Sequence, residues 1–446
     1  MYSIMMELYR NRLCLPVYFW VMKKTIALAS ACITSLMFGL EISSVPVILP
    51  TLGRVLGGSF EQLQWIANAY TIACTTVLMA TGKLADRFGR KRLYMISIVL
   101  FGLTSLGCGL AHSVGVLIAG RFLQGLGGGA MLICQMAVLS LQFQEGKERA
   151  RAFGIWGIVF GAGLGFGPIV GGMIVDLASW QWVFLVHFPI AAGALVLVWI
   201  GVDESRDPSA KRLDLGGMIL LALSVFGLTY FITSQASFYI LIASGVSFLA
   251  FLWVERVSPE PMFDFSVFRI RSFSGALLGS VGMNCSFWPF MIYLPIYFQN
   301  HLGYGTVKTS LSLLAYTLPT LAVPPLAERL SLRYKPGIVI PFGLFTIGLG
   351  FILMKAGAML PGELIAGIGL GLTNTPVTNT TIGSVPESRA GMASGIDMSA
   401  RLITLAINIA VMGFILERMG AGAAMLYGGI GAWIMAVLSL AIFRKQ

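Results

Sequence analysis

The sequence predicts an all-α protein embedded in a membrane, and three observations predict it. Hydrophobic residues make up 57% of the 446 positions and charged residues only 11%, where a globular protein carries about 25% charged residues. Mean hydropathy is +0.84, and the apolar character extends over nearly the whole chain, so no water-soluble domain of ordinary size fits within it. The charges fall in short clusters between long apolar runs, as in helices that cross a bilayer and are joined by loops. A soluble enzyme is excluded.

A helix crossing a hydrocarbon core needs about 20 mostly apolar residues. Fourteen runs meet that need between charged or Pro/Gly-rich breaks. The first, near 25–49, starts after Lys23 and Lys24; the second, 62–82, ends at Gly82 and Lys83; the third, 93–111, follows Arg90, Lys91 and Arg92. The fourth, 114–138, stops before Lys147, the fifth, 152–175, follows Arg151, and the sixth, 182–202, stops before Arg206. The seventh, 214–234, follows Lys211 and Arg212, and the short eighth, 237–254, is stopped by Arg256. The ninth, 273–299, follows Arg271, the tenth, 308–327, ends at Glu328 and Arg329, and the eleventh, 337–355, lies between Lys335 and Lys355. The twelfth, 360–382, is interrupted by polar residues; the thirteenth, 392–416, follows Arg389, and the fourteenth, 421–443, stops at Arg444 and Lys445.

With the N-terminus cytoplasmic, 24 of the 30 basic residues fall in inner segments. Only Arg54, Lys308, Lys355 and Arg418 fall outside, and Arg121 and Arg401 lie within spans. This asymmetry places both termini on the cytoplasmic side and favours an even number of spans. The net charge of +11 is thereby read as topology rather than as a nucleic-acid surface. The six cysteines form no CxxC pair and the three histidines, His112, His187 and His301, stand far apart, so neither a zinc site nor a disulfide framework is supported. Residues 1–24 form an N-terminal cytoplasmic segment; the weakly apolar stretch from Leu13 to Met22 has no cleavage site, and Met22 is a plausible start of the protein.

Two segments echo each other across the chain. Gly82-Lys83-Leu84-Ala85-Asp86-Arg87-Phe88-Gly89-Arg90-Lys91-Arg92 follows the second span, and Leu326-Ala327-Glu328-Arg329 follows the tenth, so Leu-Ala-acid-Arg recurs 242 residues on. Two related helical bundles leave such a trace; chance similarity of short loops accounts for the second copy alone. The first segment resembles the loop signature of the major facilitator superfamily. Arg121-Phe122-Leu123-Gln124-Gly125 with Gly127, Gly128 and Gly129 is similar to its fourth-span motif. Gly157, Gly161, Gly165, Gly167-Pro168 and Gly171-Gly172 resemble its fifth-span antiporter motif. The stretch from Leu40 to Pro50 resembles the first-span motif of the fourteen-span drug:proton antiporter family, with Glu41 in place of Asp. Trp180 to Leu185, with Gln181 in place of the family's usual Arg, Leu213 to Gly217 and Tyr293 to Gln299 are family-like too, and in span thirteen Thr404 and Asn408 stand where family members commonly carry Gly around an Arg, here Arg401.

The resemblance implies a major facilitator fold: two six-helix bundles, 25–202 and 273–446 with a short cytoplasmic tail, and two extra central helices within 203–272. It further implies a cytoplasmic gate at Gly82, Asp86, Arg87, Gly89, Arg90, Glu328 and Arg329. For Arg90, Lys91 and Arg92 a purely topogenic role is the plainer account. On the fifth span, Gly161, Gly165, Gly167, Gly171 and Gly172 allow close packing and Pro168 bends the helix.

Ionisable groups inside a bilayer are costly and mark function by default. Glu41 and Arg121 each lie about seven residues from the outer end of their spans, so at a rise of 1.5 Å both are roughly 11 Å deep and can meet. Glu41 is read as the proton switch, its carboxyl facing a solvent-reachable vestibule, with Arg121 holding it ionised when close. A static ion pair between spans one and four is the alternative. Asp397 and Arg401 share one helix face, as an intrahelical salt bridge or a second charge site in the cavity. Asn68, Gln124, Asn284, Asn374 and Asn379 suit a wet cavity or interhelical hydrogen bonds, and Phe287 and Trp288 suit an adaptable apolar wall.

The expected function is proton-driven export of small amphipathic or hydrophobic compounds by alternating access, in a bacterial-type inner membrane, by a monomer using no cofactor or metal. A dedicated exporter or transporter of one metabolite, siderophore or lipid is the alternative on the same fold. A non-transporting membrane receptor is the alternative from another class.

Overall fold

In the computed structural model, residues 2–143, 146–206, 215–258, 265–386 and 390–444 are described. Leu213, Asp214, Lys211, Arg212, Arg389 and Lys445 lie outside them, as do the side chains of residues 2–21, Lys83 and Lys147. The described residues are mostly helical. In order the helices are α1 (Tyr2–Leu56), α2 (Phe60–Phe88), α3 (Arg90–Gly109), α4 (Val114–Gln142), α5 (Gly146–Leu177), α6 (Gln181–Leu185) and α7 (His187–Gly201). Then come α8 (Leu215–Thr233), α9 (Phe238–Val257), a 3-10 turn at Phe265–Arg269, α10 (Arg271–Cys285), α11 (Phe287–Asn300), α12 (Thr306–Thr317), α13 (Pro319–Ala322) and α14 (Pro324–Tyr334). The last four are α15 (Pro336–Lys355), α16 (Met359–Gly383), α17 (Ala390–Met419) and α18 (Ala421–Arg444).

Among the described residues, eleven helices are long and apolar enough to cross a membrane, or twelve if the pair bent by 46° between α13 and α14 is one span. The long helices outside that set are α2 and α16, whose lengths are sufficient but whose polar residues lower their hydropathy. Among the described residues the fourteen apolar runs lie in helix apart from a residue or two at some ends, and three are broken. The sixth breaks at Val186 and the ninth at Ser286. Pro189 and Pro289 have no N–H to give to the carbonyls four residues earlier, Leu185 and Cys285, where each preceding helix ends. The tenth breaks twice, with Pro319 and Pro324 each starting a new helix.

The signature expected as a loop after the second span is mostly helix. α2 continues through Asp86 to Phe88, a single residue interrupts it, and α3 begins at Arg90. That residue is Gly89 at φ +112°, a conformation that a side chain resists. The second copy, Leu326 to Arg329, likewise lies within α14. Polar starts are capped locally: Ser59 and Gln62 form a reciprocal capping box on α2, and Ser113 caps α4, satisfying N–H groups that a helix leaves free.

Helix α1 packs against α4, α5 and α7, with α2 and α3 on α4. In the second half α15 packs on α16 and α18, and α10 on α16, α17 and α18. α8 and α9 pair with each other, and α8 rests against α2 and α17, where Trp65 meets Phe226 and Tyr230 with ring centroids 5.8 and 5.9 Å away. The part of α1 at Lys23 and Lys24, the α2–α3 break and the segment after α7 share one end of the molecule. Lys23 pairs with Asp203, Lys24 with Glu148, and Arg90 N donates to Ser205 O. At the opposite end the two halves are tied together: Gln299 Nε2 donates to Val47 O at 3.0 Å and Arg54 to Gln299 Oε1 at 3.2 Å. Nearer mid-depth, Thr317 Oγ1 donates to Gly165 O at 2.7 Å.

Candidate functional site

The site is built by glycines before it is built by charges. On α4, a Cβ at Gly125 would strike Tyr70 O of α2, one at Gly129 would come 2.9 Å from Cys74 O, and one at Gly127 would come 2.7 Å from Phe101 N of α3. Their absence brings α4 close enough to both helices for Arg121 to reach across to α1. On α5, Gly163, Gly167 and Gly171 face α1: a Cβ at Gly167 would overlap Ser43 Oγ, and one at Gly171 would lie 2.8 Å from Ser44 Cβ. Gly161, Gly165 and Gly172 face the second half, opposite Leu321, Thr317 and Ser310. Pro168 lies inside a continuous α5. The fifth-span glycines thus line both sides of one helix, wedged between α1 and α12–α13.

Glu41 and Arg121 do meet. Arg121 Nη1 is ion-paired to Glu41 Oε1, and both residues are buried, at 2% and 0% exposure. The guanidinium also donates to Gln124 Oε1 at 2.6 Å and, through Nε, to Ile66 O at 3.2 Å, and sits 4.3 Å above the Tyr70 ring centroid. Gln124 Nε2 in turn donates to Ser105 Oγ at 2.8 Å. A charged pair withdrawn from water is held by the hydrogen bonds around it: Arg121 Nε and Nη1 are engaged, while Glu41 Oε2 has no hydrogen-bond partner.

Beside this cluster a small, partly open cavity of about 50 Å³ lies between the halves. Its walls are Phe38, Ile42, Tyr70 and Arg121 on one side and Trp288, Met291, Leu402 and Ile409 on the other. The expectation that the Glu41 carboxyl borders this space is corrected: Arg121 and Tyr70 border it, and Glu41 lies behind them. The physical reason is the ion pair itself, because the long guanidinium reaches past the carboxylate to the cavity wall.

The other predicted residues distribute unevenly. Of the cavity candidates Trp288 lines the space, whereas Phe287 turns into the core and stacks on Tyr316 at 3.9 Å. Asn68, Gln124 and Asn284 are buried away from it, and Asn379 is exposed. Asn284 donates to Ser280 O within its own helix. Asn374 accepts from Arg401, which also donates to Thr378 Oγ1 at 2.9 Å and to Asp397 Oδ2 at 3.0 Å. Asp397 accepts from Ser280 as well, so the intrahelical bridge is also a tie among α10, α16 and α17. Asn408 of the departing pair is held by Tyr427, and Thr404 bonds back to Ala400 O.

Of the gate residues, Asp86 pairs with Arg90 at 2.7 Å, four residues on. Arg87, Glu328 and Arg329 are exposed, and no ion pair joins the two signature copies among the described residues. A Cβ at Gly89 would lie 2.6 Å from the Glu204 carboxyl, which accepts from Lys91 N and Arg92 N and so closes the start of α3. Gly82 is half-buried on α2.

Sequence reasoning missed Glu204, Gln299 and His187. The last had a signal, an ionisable ring inside the apolar run Val186-His187-Phe188, by the same rule that singled out Glu41. Its Nδ1 stands 3.4 Å from Glu41 Oε2, at 1% exposure. Glu363, buried on α16 with Oε2 unpartnered, satisfies that rule too.

Comparison with known proteins agrees with this geometry. The profile of the Major Facilitator Superfamily matches residues 31–407. The Multidrug resistance protein Stp of Mycobacterium tuberculosis (strain CDC 1551 / Oshkosh) is 34% identical over 394 residues, covering 85% of this chain and 73% of that protein. The Tetracenomycin C resistance and export protein of Streptomyces glaucescens is 28% identical over 410 residues, 88% of this chain and 76% of that protein. Among solved structures, a POT family transporter in complex with 5-aminolevulinic acid superposes with a TM-score of 0.71 at 17% identity, over 94% of this chain and 96% of that one. This last likeness concerns the fold.

Proposed function

The chain belongs to the major facilitator superfamily, and on that premise we propose that it exports small amphipathic or hydrophobic compounds in exchange for protons. It is a transporter and not an enzyme. The observation that carries the proposal is the buried Glu41–Arg121 pair at the cavity between the halves, with Arg121 in its wall and Glu41 behind it. Two transmembrane helices of the same half place opposite charges together at a depth where either alone is costly, and Arg121 has one face on the cavity. Displacement of Arg121, by substrate in the cavity or by rearrangement of the halves, leaves the carboxylate without its counter-charge. A proton then restores neutrality; return of Arg121 expels it. Export and proton entry thereby use the same site in alternation.

The hydrogen bonds at the end opposite the termini support a conformation shut on that side, and alternating access requires them to part. Fourteen crossings follow if α2 and α16 span the bilayer and the bent α12–α14 segment is one crossing, with α8 and α9 as the extra central pair and α1–α7 and α10–α18 as two six-span bundles. The basic end then faces the cytoplasm of a bacterial-type inner membrane, both termini with it, and the protein works as a monomer without cofactor. The apolar, aromatic walls of the cavity favour amphipathic or hydrophobic cargo, and the relatives named for multidrug and tetracenomycin C resistance support that class.

The test is accumulation of ethidium, with one neutral and one anionic compound alongside, in proteoliposomes under an imposed pH gradient. The natural protein accumulates dye in vesicles acidic inside. Glu41→Gln loses gradient-driven accumulation while retaining exchange of dye against dye. Undiminished accumulation in Glu41→Gln overturns the coupling scheme.

A further inference from the structure

We propose that His187 is the seat of the proton that replaces Arg121 beside Glu41, so that the exchanged proton is held by an imidazole–carboxylate pair rather than by the carboxyl alone. This inference rests on the proton-coupled reading above and deepens it.

Four atoms motivate it. Glu41 Oε1 is engaged by Arg121, but Oε2 has no hydrogen-bond partner, and neither does His187 Nδ1 opposite it or His187 Nε2 on the far side of the ring. Nδ1 and Oε2 face one another at 3.4 Å, wholly buried. Buried polar atoms are normally satisfied, and a small set left open in a dry site marks a place where something is gained in another state. The ring is held in place by an edge contact from Phe101, centroid to centroid 5.7 Å, and by the helix break at Val186, which starts α7 at the histidine itself.

Charge counting assigns the states. With Arg121 in contact, one carboxylate already neutralises one guanidinium, and a second cation on His187 would have no counter-charge in a low-dielectric site. His187 therefore carries a neutral ring. When Arg121 leaves, the carboxylate stands alone, and a proton taken from cavity water adds to the free ring nitrogen. No other bond in the protein forms or breaks. The imidazolium so formed has an N–H on both nitrogens, and the one at Nδ1 is aimed at Oε2. The remaining titratable neighbours are Tyr70 and Cys74 of α2 and Cys108 of α3. The thiols and the phenol are uncharged groups in apolar packing that supply no cation to compete with the ring. Imidazole is a stronger base than a carboxylate, so the pair binds the exchanged proton more tightly than Glu41 alone.

The chain has three histidines, and His112 and His301 are exposed, so ¹⁵N-histidine NMR of the full chain in nanodiscs reads His187 directly, assigned by its loss in His187→Asn. In the natural protein the His187 signal is that of an uncharged ring. In Arg121→Gln the His187 signal becomes that of an imidazolium, and in Glu41→Gln/Arg121→Gln it returns to neutral. A neutral His187 in Arg121→Gln overturns the proposal, as does an imidazolium in the natural protein with Arg121 in place. Should Arg121→Gln not fold, His187→Asn alone decides, through gradient-driven ethidium accumulation. Its pH midpoint shifts about one unit to the acid side, a tenfold loss of proton affinity, with dye-against-dye exchange retained. An unmoved midpoint in His187→Asn together with uncoupling in Glu41→Gln refutes the histidine assignment and leaves the antiport reading standing. Unimpaired coupling in Glu41→Gln refutes that reading itself.

Discussion

Replacing Arg121 by methionine removes the cation and keeps most of the side-chain volume. Three acceptors lose a donor at once: the Glu41 carboxylate, Gln124 Oε1 and Ile66 O. Glu41 has no exposed surface, so water cannot substitute for the guanidinium, and breaking a buried ion pair by removing one partner costs about 3–5 kcal/mol, of which a proton on His187 beside Oε2 offsets a part. Replacing both charges, as in Glu41→Leu/Arg121→Met, removes the stranded carboxylate and leaves Gln124 Oε1 and Ile66 O short of a donor, a loss that the single variant shares. The double variant is therefore the more stable of the two, and the cycle yields a coupling of about 2 kcal/mol or more. The assay is denaturant unfolding in detergent micelles, followed by circular dichroism and by labelling of the buried thiols Cys74, Cys108 and Cys134. Equal stability of Arg121→Met and the double variant refutes the claim that the pair is electrostatically locked. Both variants lose gradient-driven dye accumulation, so stability and coupling separate in one series.

Three further outcomes follow from the packing. Gly167→Ala places a methyl group onto Ser43 Oγ between α5 and α1 and costs about 1–3 kcal/mol; Ser43→Ala restores part of it, read as recovery of the unfolding midpoint. Gln299→Leu removes the hydrogen bonds to Val47 O and from Arg54, each worth about 0.5–1.5 kcal/mol. It raises thiol labelling of a cysteine placed at Val47 from the aqueous side, and an unchanged rate argues against a lock at that end. Gly89→Ala forces a side chain into φ +112° and onto the Glu204 carboxyl, with a cost of about 1–3 kcal/mol. Amide exchange at the start of α3 accelerates, and Glu204→Ala in the same chain relieves the clash but not the strain.

Much of the architecture was legible because a bilayer leaves few options: every backbone group must be satisfied internally, so apolar runs of sufficient length become helices. The weakness lay at the breaks. Pro189 and Pro289 accompany interrupted helices, while Pro168, Pro295, Pro341 and Pro376 sit inside continuous ones. Whether a missing N–H is tolerated depends on the neighbouring helices, which spacing along one chain does not reveal. For the same reason Phe287 and Trp288, adjacent in sequence, divide between core and cavity.

Taken by itself, the sequence determined that the chain is helical and lipid-embedded, that its halves echo each other, and that a carboxylate on the first span and a guanidinium on the fourth lie at matching depth. Those properties follow from composition, period and rise per residue, all of which are local. Only the tertiary structure decided that Arg121 rather than Glu41 faces the cavity, that His187 stands against the second carboxylate oxygen, and that Gln299 ties the far end. Each depends on how helices distant in the chain rotate against one another, and that rotation is set by where glycines let backbones approach.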